Sequence, residues 1–133
     1  MSDLGTLSYY LGIEVRHGNE ALMLGQSAYA SKLLEWSDMA ECKPCVTPME
    51  ERLKLMNAST AARVNTTLYQ SIVSGLRYLV HTRPDIVFGV GYVSRFMEDP
   101  REDHWAAVKR LLCYVKGTVD QWIVFSKTGE SRL

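Results

Sequence analysis

The 133-residue chain carries 15 basic and 15 acidic residues, and 47% of its residues are hydrophobic. This composition is typical of one globular domain and excludes a disordered chain. A net charge of zero argues against a nucleic-acid binder with a basic field over its whole surface. The charge is uneven, however: residues 1–60 hold five Lys or Arg against eight Asp or Glu, and residues 61–133 hold ten against seven. The second half is therefore the more basic one, and it is where a phosphate ligand would be expected if the chain binds one.

The sequence also bears on where the protein resides. It contains no apolar run long enough to span a membrane and no signal peptide at its start. Three cysteines, an odd number, fit a reducing compartment better than a disulfide framework. We therefore expect an intracellular protein, cytoplasmic or nuclear, with neither a membrane partner nor a small-molecule substrate.

The first third of the chain predicts a hairpin and a helix. Residues 7–16 alternate between apolar and polar side chains, which indicates one strand. Gly18-Asn19 suits a two-residue hairpin loop, and residues 21–24 return as the second strand. Ser27 is a good N-cap for the helix that follows. The apolar face of that helix comprises Tyr29, Leu33 and Trp36. Residues 38–66 lack a regular pattern, so they predict a long and mostly exposed connector.

Three further helices are predicted, each by a start signal and an apolar stripe. Thr67 and Gln70 form a capping box for the first helix, and Pro84 suits the first turn of the second. Asp99-Pro100 begins the third helix and Gly117 ends it. The stripes comprise Tyr69, Ile72, Val73, Leu76, Leu79 and Val80 in the first helix, Ile86, Val90, Val93 and Met97 in the second, and Trp105, Val108, Leu112 and Val115 in the third.

A last strand, over residues 121–126, has no visible partner in the sequence, so we expect its partner to be missing. The predicted fold class is α+β: a β-hairpin, a helix, a long connector, a three-helix bundle and a C-terminal strand. We divide the chain into residues 1–66, 67–117 and 118–133.

The segment Cys42-Lys43-Pro44-Cys45 has the spacing of a redox pair or of half a zinc site. The strand–turn–helix context of a thioredoxin-like pair is absent. A zinc site needs further ligands, and neither the three histidines nor Cys113 lie at ligand spacing. Unrelated thiols in a connector are the favoured interpretation.

Other features that suggest catalysis also favour a structural interpretation. His104 falls in the first turn of a helix and is expected at the surface. Glu14 and Glu20 are expected to be solvated. Gly89-Val90-Gly91 lies within a helix, which indicates close helix packing rather than a phosphate loop. We therefore predict no catalytic residue, no metal site and no cofactor in this chain.

Several basic side chains lie on the predicted helices away from the apolar stripes. On physical grounds they are more often a solvated surface than a phosphate track, and both interpretations stay open. These residues are Arg77, His81, Arg95, Lys109, Arg110 and Lys116.

Seven short blocks occur in a fixed order along the chain. They are residues 7–15 (LSYYLGIEV), 26–30 (QSAYA), 47–49 (TPM), 76–79 (LRYL), 82–86 (TRPDI), 93–97 (VSRFM) and 116–118 (KGT). Together they resemble the reverse transcriptase of Ty1/copia-type retrotransposon Pol polyproteins. The resemblance covers essentially the whole chain. It implies the end of the palm with a primer-grip-like hairpin, then the helical thumb, then the start of the connection towards a ribonuclease H domain.

The resemblance also implies roles for individual residues. Leu11, Gly12 and Ile13 would lie near the primer terminus. The likeliest phosphate neighbours would be Arg77, Arg83, Arg95 and Lys109. The partners implied are an RNA–DNA or DNA duplex, bound weakly, and the remainder of the Pol polyprotein.

The family's catalytic centre is expected to lie outside this sequence. In the family an Asp-Asp pair upstream of these blocks holds two divalent metals, Mg²⁺ in the intact enzyme. This sequence has no Asp-Asp dipeptide, so the resemblance implies no polymerase activity from the chain alone.

Three positions depart from the family pattern. Ser74-Gly75 stands where relatives usually read Gly-Ser, Cys113 where they are often basic, and Trp122 where they often have Gly. Met1 coincides with a methionine commonly internal to the polyprotein. We therefore expect a truncated or degenerate copy. The alternative is a retained small intracellular module that binds another protein through its strand edges.

Overall fold

The structure, a computed structural model, describes residues 6–10, 13–17, 21–119, 123–126 and 131–132. In chain order its elements are β1 (Thr6–Tyr10), β2 (Ile13–His17), β3 (Ala21–Gly25), α1 (Ser27–Trp36), α2 (Thr66–Leu79), α3 (Val87–Val93), α4 (Glu102–Gly117), β4 (Ile123–Ser126) and β5 (Ser131–Arg132). Short 3-10 turns flank α3 at Pro84–Ile86 and Ser94–Phe96. The α+β class is confirmed. None of the helices in these ranges is long and apolar enough to cross a bilayer.

The core lies among the four α-helices of the described ranges, because each turns one apolar stripe inward. Its largest contributions are Tyr69, Ile72, Val73, Leu76 and Leu79 from α2 and Ala107, Val108, Leu111, Leu112 and Val115 from α4. The predicted stripes are confirmed with few exceptions. Val80, Met97 and Trp105 are only partly buried, and Trp36 is 59% exposed.

Two glycines permit the closest helix contacts. A Cβ on Gly75 would lie 2.7 Å from Leu33 Cδ1 on α1, and one on Gly89 would lie 2.8 Å from Leu111 Cδ2 on α4. Both distances are shorter than two carbon atoms tolerate. A Cβ on Gly91 would meet nothing within 4 Å. The predicted close packing is therefore confirmed at Gly89, and at Gly91 it is wrong because that residue faces outward.

Residues 37–65 form the predicted connector without helix or strand. It is mostly exposed, as predicted, and none of its residues is fully buried. Some of its apolar side chains pack, partly buried, against the helical core. These are Met39, Met49, Leu53, Leu55 and Val64. The Tyr92 hydroxyl fixes its middle, accepting a hydrogen bond from Leu55 N at 2.7 Å and donating one to Leu53 O at 3.2 Å.

The described strands form one antiparallel sheet in the order β1-β2-β3-β4-β5. The prediction of one strand over 7–16 is wrong: Tyr10 pairs with Ile13, so β1 and β2 run in opposite directions. The alternation of apolar and polar side chains is the same in one long strand as in two short strands. The sequence pattern therefore could not distinguish a single strand over 7–16 from β1 followed by β2. The loop predicted at Gly18-Asn19 lies outside the described residues.

The expectation of a partnerless last strand is also wrong. β4 pairs with β3 on one side and with β5 on the other. In the first of these ladders Leu24 stands opposite Ile123. Alternation fixes which side chains share a face, but it does not identify a partner about a hundred residues away.

The predicted helix starts are displaced by one to three residues. Asn65, not Thr67, caps α2, and its Oδ1 accepts from Leu68 N at 3.0 Å. Helix α4 begins at Glu102, after Asp99-Pro100. Ser27 does not cap α1, because its hydroxyl donates instead to Val119 O at 2.9 Å. At Ser27 the contact with Val119 decides the outcome, whereas at α2 the choice lies between neighbouring polar residues of similar capping ability.

Candidate nucleic-acid interface

Two of the four predicted phosphate-binding residues flank the outer face of α3. The exposed Arg77, near the end of α2, borders a depression of 410 Å³ whose floor includes Val80 and Val90. The exposed Arg95, just after α3, borders a neighbouring depression of 520 Å³ together with Phe88. Val87 and Gly91 line both depressions. The structure thus brings Arg77 and Arg95 to opposite sides of one apolar surface.

Aromatic rings hold the Arg95 guanidinium in place. Its Cζ lies 5.5 Å from the centre of the Tyr92 ring and 6.0 Å from that of Phe96. These cation–π contacts orient the side chain without neutralising its charge. Arg95 therefore keeps a full positive charge available to an anion.

Arg83 occupies a different position from the one predicted. It is only 4% exposed. Its Nε and Nη2 donate to the two carboxylate oxygens of Asp85 at 3.0 and 2.9 Å, and its Nη1 donates to Thr118 O at 3.2 Å. Tyr114 also donates to Asp85, at 2.7 Å. Arg83 therefore joins the turn before α3 to the end of α4, and its charge is already paired.

The ion pair between Arg83 and Asp85 changes the pKa values of the groups around it. Burial acts to raise the pKa of Asp85, but the hydrogen bonds from Arg83 and Tyr114 outweigh it and lower that pKa below its ordinary value. Burial, then the hydrogen bond to Asp85, raises the pKa of Tyr114. Asp85 is therefore a carboxylate at neutral pH and Tyr114 a neutral donor, which keeps the link intact.

Lys109 lies apart from the two arginines. It is exposed on α4 and lines neither depression beside α3. Its spacing places it on the same side of α4 as Cys113 and Lys116. Arg110 next to it donates to Thr47 Oγ1 of the connector at 2.7 Å. The basic residues thus form two groups, Arg77 with Arg95 and Lys109 with Lys116.

Of the primer-grip residues, Leu11 and Gly12 lie outside the described residues. Ile13 begins β2 and is half-buried. The next residue, Glu14, is 5% exposed, and its Oε2 accepts from Ala28 N at 2.7 Å in the first turn of α1. The expectation of a solvated Glu14 is therefore wrong. A helix N-terminus attracts a carboxylate, and this contact ties β2 to α1.

A second junction joins the sheet to the helices. Gln26 and Thr82 are both buried, and the Thr82 hydroxyl donates to Gln26 Oε1 at 2.6 Å. The Gln26 amide donates in turn to Tyr78 O at 3.4 Å. Gln26, which follows β3, is thereby fixed to the end of α2, which carries Arg77.

The exposed side of α2 carries small polar side chains next to two aromatic residues of α1. They line an open depression of 450 Å³ together with Tyr29 and Trp36. The α2 residues there are Thr67, Gln70, Ser71, Ser74 and Gly75. Helical spacing places Arg77 at one edge of this side. Hydroxyl and amide groups beside a cation can contact phosphate and sugar without reading sequence.

His104 is a structural residue rather than the predicted surface histidine. It is fully buried and stacks on Phe96 with 4.0 Å between ring centres. Its Nδ1 accepts from Arg101 N at 3.0 Å, and its Nε2 lies 2.8 Å from Met56 O. A carbonyl can only accept, so Nε2 carries the proton and both ring nitrogens are satisfied.

Sequence reasoning missed two features of this surface. One is the exposed apolar pair Val87 and Phe88, which are 53% and 76% exposed. Both are large apolar residues at positions outside the buried stripe of Ile86, Val90 and Val93. Apolar residues at such positions could have indicated an exposed apolar surface. The other is the approach of Cys45 to Cys113, whose backbone oxygen accepts from Cys45 N at 3.2 Å. No sequence signal links thiols so far apart. Within the described residues no group of His, Cys, Asp or Glu is arranged to hold a metal ion.

The chain is similar in sequence to parts of longer proteins. The chain is 40% identical over 121 residues to the Retrovirus-related Pol polyprotein from transposon RE2 of Arabidopsis thaliana, a match that covers 91% of the chain and 8% of the relative. It is 37% identical over 134 residues to the Retrovirus-related Pol polyprotein from transposon TNT 1-94 of Nicotiana tabacum, covering 94% and 10%.

A shorter relative is an uncharacterized mitochondrial protein of Arabidopsis thaliana, 37% identical over 130 residues. That match covers 98% of the chain and 54% of the relative. The chain therefore spans about half the length of this protein and a tenth or less of the two polyproteins. No model of a known protein family matches the chain, and no solved structure matches it.

Proposed function

This chain is a relative of part of the Pol polyproteins of copia-type retrotransposons, and we propose that it is the C-terminal part of their reverse transcriptase region. Its helical half binds a primer–template duplex weakly and without reading sequence. The observation that carries this proposal is the position of Arg77 and Arg95, both exposed and on either side of the outer face of α3.

Electrostatics supports contact with the backbone rather than with bases. Each guanidinium can make two parallel hydrogen bonds to one phosphate. Lys109 adds a third exposed cation on α4, whereas Arg83 adds none because Asp85 already pairs with it. With a net charge of zero, the chain lacks long-range attraction, so affinity is expected to be low and sensitive to salt.

Fluorescence anisotropy of a labelled RNA–DNA hybrid across a salt series tests this proposal. Three phosphate contacts predict that log K falls with log salt with a slope of roughly −3. Arg95→Ala should reduce the slope by about one unit on every sequence tested. The matched control is Arg63→Ala, which removes an exposed arginine that Asp99 already accompanies at 3.7 Å. No binding at low salt, or equal slopes for both variants, would overturn the proposal.

We also propose that the chain alone does not polymerise DNA. Two-metal phosphoryl transfer needs carboxylates that hold both ions, and the sequence has no Asp-Asp dipeptide. Primer extension on an RNA template with Mg²⁺ should give no product above a control without protein. Incorporation that persists through further purification and co-elutes with the chain would contradict this.

A second candidate function is the binding of another protein, and the apolar surface beside α3 favours it. Val87 and Phe88 are exposed next to Leu53 and Tyr92, with Arg95 at the border. An amphipathic helix with acidic residues would match this apolar surface and its basic border. The edge of β4 expected from the sequence is not open to a partner, because β4 is already paired on both sides.

The substitution Phe88→Asp separates the two functions. A defined partner protein that binds the native chain and not this variant, while both bind duplex equally, would favour the interaction module. Loss of duplex binding in Phe88→Asp, with no partner found, would favour the nucleic-acid surface instead.

A further inference from the structure

Part of the connector lies directly against the last turns of α4. Cys45 N donates to Cys113 O at 3.2 Å. A Cβ on Gly117 would lie 3.1 Å from Pro44 Cβ and 3.8 Å from Cys45 O. The absence of a side chain at Gly117 is what lets the two segments approach. Cys45 and Cys113 are therefore neighbours, although 67 residues separate them in the sequence.

The three thiols of the chain meet at this contact. Cys42, Cys45 and Cys113 are all unpaired and partly buried. Burial, followed by the influence of the neighbouring Cys42 and Cys45 thiols, raises the pKa of Cys113 to about 12.

The backbone distance suits a disulfide between Cys45 and Cys113. A hydrogen bond of 3.2 Å between Cys45 N and Cys113 O limits the separation of the two Cα atoms to about 7 Å, given standard bond lengths. Disulfides join Cα atoms roughly 4.4 to 6.8 Å apart. The backbone contact therefore brings the two Cα atoms to about the upper end of that range or closer.

We propose that Cys45 and Cys113 form an oxidation site, at which a disulfide fastens the connector to α4. The oxidant is a low-molecular-weight disulfide such as glutathione disulfide. The thiolate of Cys45 attacks one of its sulfurs, forming a mixed disulfide and releasing one glutathione thiolate. Cys113 then loses its proton and attacks Cys45 Sγ, releasing the second. Two protein thiols are oxidised, one glutathione disulfide is reduced, and the two protons pass to the released thiolates.

The surroundings favour an anionic oxidant. Lys109 and Lys116 lie one helical turn on either side of Cys113, and Lys43 is an exposed neighbour of Cys42. Glutathione disulfide carries a net negative charge at neutral pH, so these lysines would raise its local concentration. This inference stands on the contact between the connector and α4 and does not depend on duplex binding.

The test oxidises the folded chain with glutathione disulfide, blocks residual thiols, and maps disulfides by mass spectrometry after a non-reducing digest. Because a Lys43-Pro44 bond resists trypsin, Cys42 and Cys45 share one peptide, so the variant Cys42→Ser is used beside the native chain. We expect Cys42→Ser to give the Cys45–Cys113 crosslink and to melt roughly 5 to 15 °C higher when oxidised.

Cys113→Ser serves as the matched control, and it should show no such rise in melting temperature. Four outcomes would overturn the proposal. They are a Cys42→Ser variant that forms no intrachain crosslink, a native chain whose only disulfide joins Cys42 to Cys45, a crosslink that forms equally well in the denatured chain, and a crosslink that joins two chains.

Discussion

Single residues decide how closely α2 can approach α1. Gly75 stands against Leu33, where even a methyl group would be 2.7 Å from Cδ1. Its neighbour Ser74 is exposed. The order Ser74-Gly75 therefore puts the residue without a side chain at the crowded position.

This crowding predicts opposite effects for two glycine substitutions. Gly75→Ala should lower the free energy of unfolding by about 1 to 3 kcal/mol, because Leu33 is buried and must move. Gly91→Ala should raise it by roughly 0.5 to 1 kcal/mol, because that Cβ enters open space and alanine favours helix. Urea denaturation of the native chain and of each variant gives the two changes in the free energy of unfolding. An unaffected Gly75→Ala would refute the packing described between α1 and α2, and a destabilised Gly91→Ala would contradict the open space described at Gly91 on α3.

The ion pair between Arg83 and Asp85 predicts a dependence of stability on pH. The pKa of Asp85 is lower in the folded chain than its ordinary value of 3.8. Its contribution is therefore complete above that value and is lost as pH falls through the lower folded pKa. Asp85→Asn should cost roughly 2 kcal/mol at pH 7, and less at pH 3. The free energies of unfolding of the native chain and of Asp85→Asn are measured between pH 7 and pH 3. A difference between them that stays constant over this range would contradict the prediction.

At the scale of elements, the helices differ from the sheet in what stabilises them. Helices α2 and α4 each bury at least five apolar side chains in the shared core. Strand β2 is fixed to the helices through Glu14, which accepts from Ala28 N. Polar contacts of this kind contribute less than a continuous apolar stripe.

Hydrogen exchange should reflect that difference. Backbone amides in residues 69–79 and 105–115 should exchange more slowly than those of β2, whose opening needs the loss of fewer buried contacts. Exchange followed by mass spectrometry at neutral pH gives the comparison, and Glu14→Gln should speed exchange in β2 without changing α4. Equal protection of β2 and α4 would mean that sheet and helices unfold as one cooperative unit.

Local pattern predicted the helices well and the contacts between distant segments poorly. The stripe from Tyr69 to Leu79 follows from helical spacing alone, so it could be predicted. The burial of His104 depends on Met56 O and Arg101 N, and the pairing of Arg83 depends partly on Thr118. No spacing rule encodes such partners. For the same reason, four basic residues could be named as candidates, but not which one was already paired.

At the scale of the whole molecule, the proposed duplex surface and the proposed oxidation site lie on the same helical unit. Lys109 shares one side of α4 with Cys113. Arg77 and Arg95 lie beside α3 instead. Formation of a disulfide at Cys113 would therefore take place next to Lys109, one of the three cations proposed to contact the duplex. It would not affect the surroundings of Arg77 and Arg95.

The position of the connector bears on the order in which the protein assembles. Leu53 and Leu55 are held by the hydroxyl of Tyr92, and Met56 by the ring of His104. During synthesis the connector leaves the ribosome before either of these later residues exists. These contacts cannot form until α3 and α4 have been synthesised, so we expect the connector to dock late in folding. It then covers a core to which α1, made before it, and α2 to α4, made after it, all contribute.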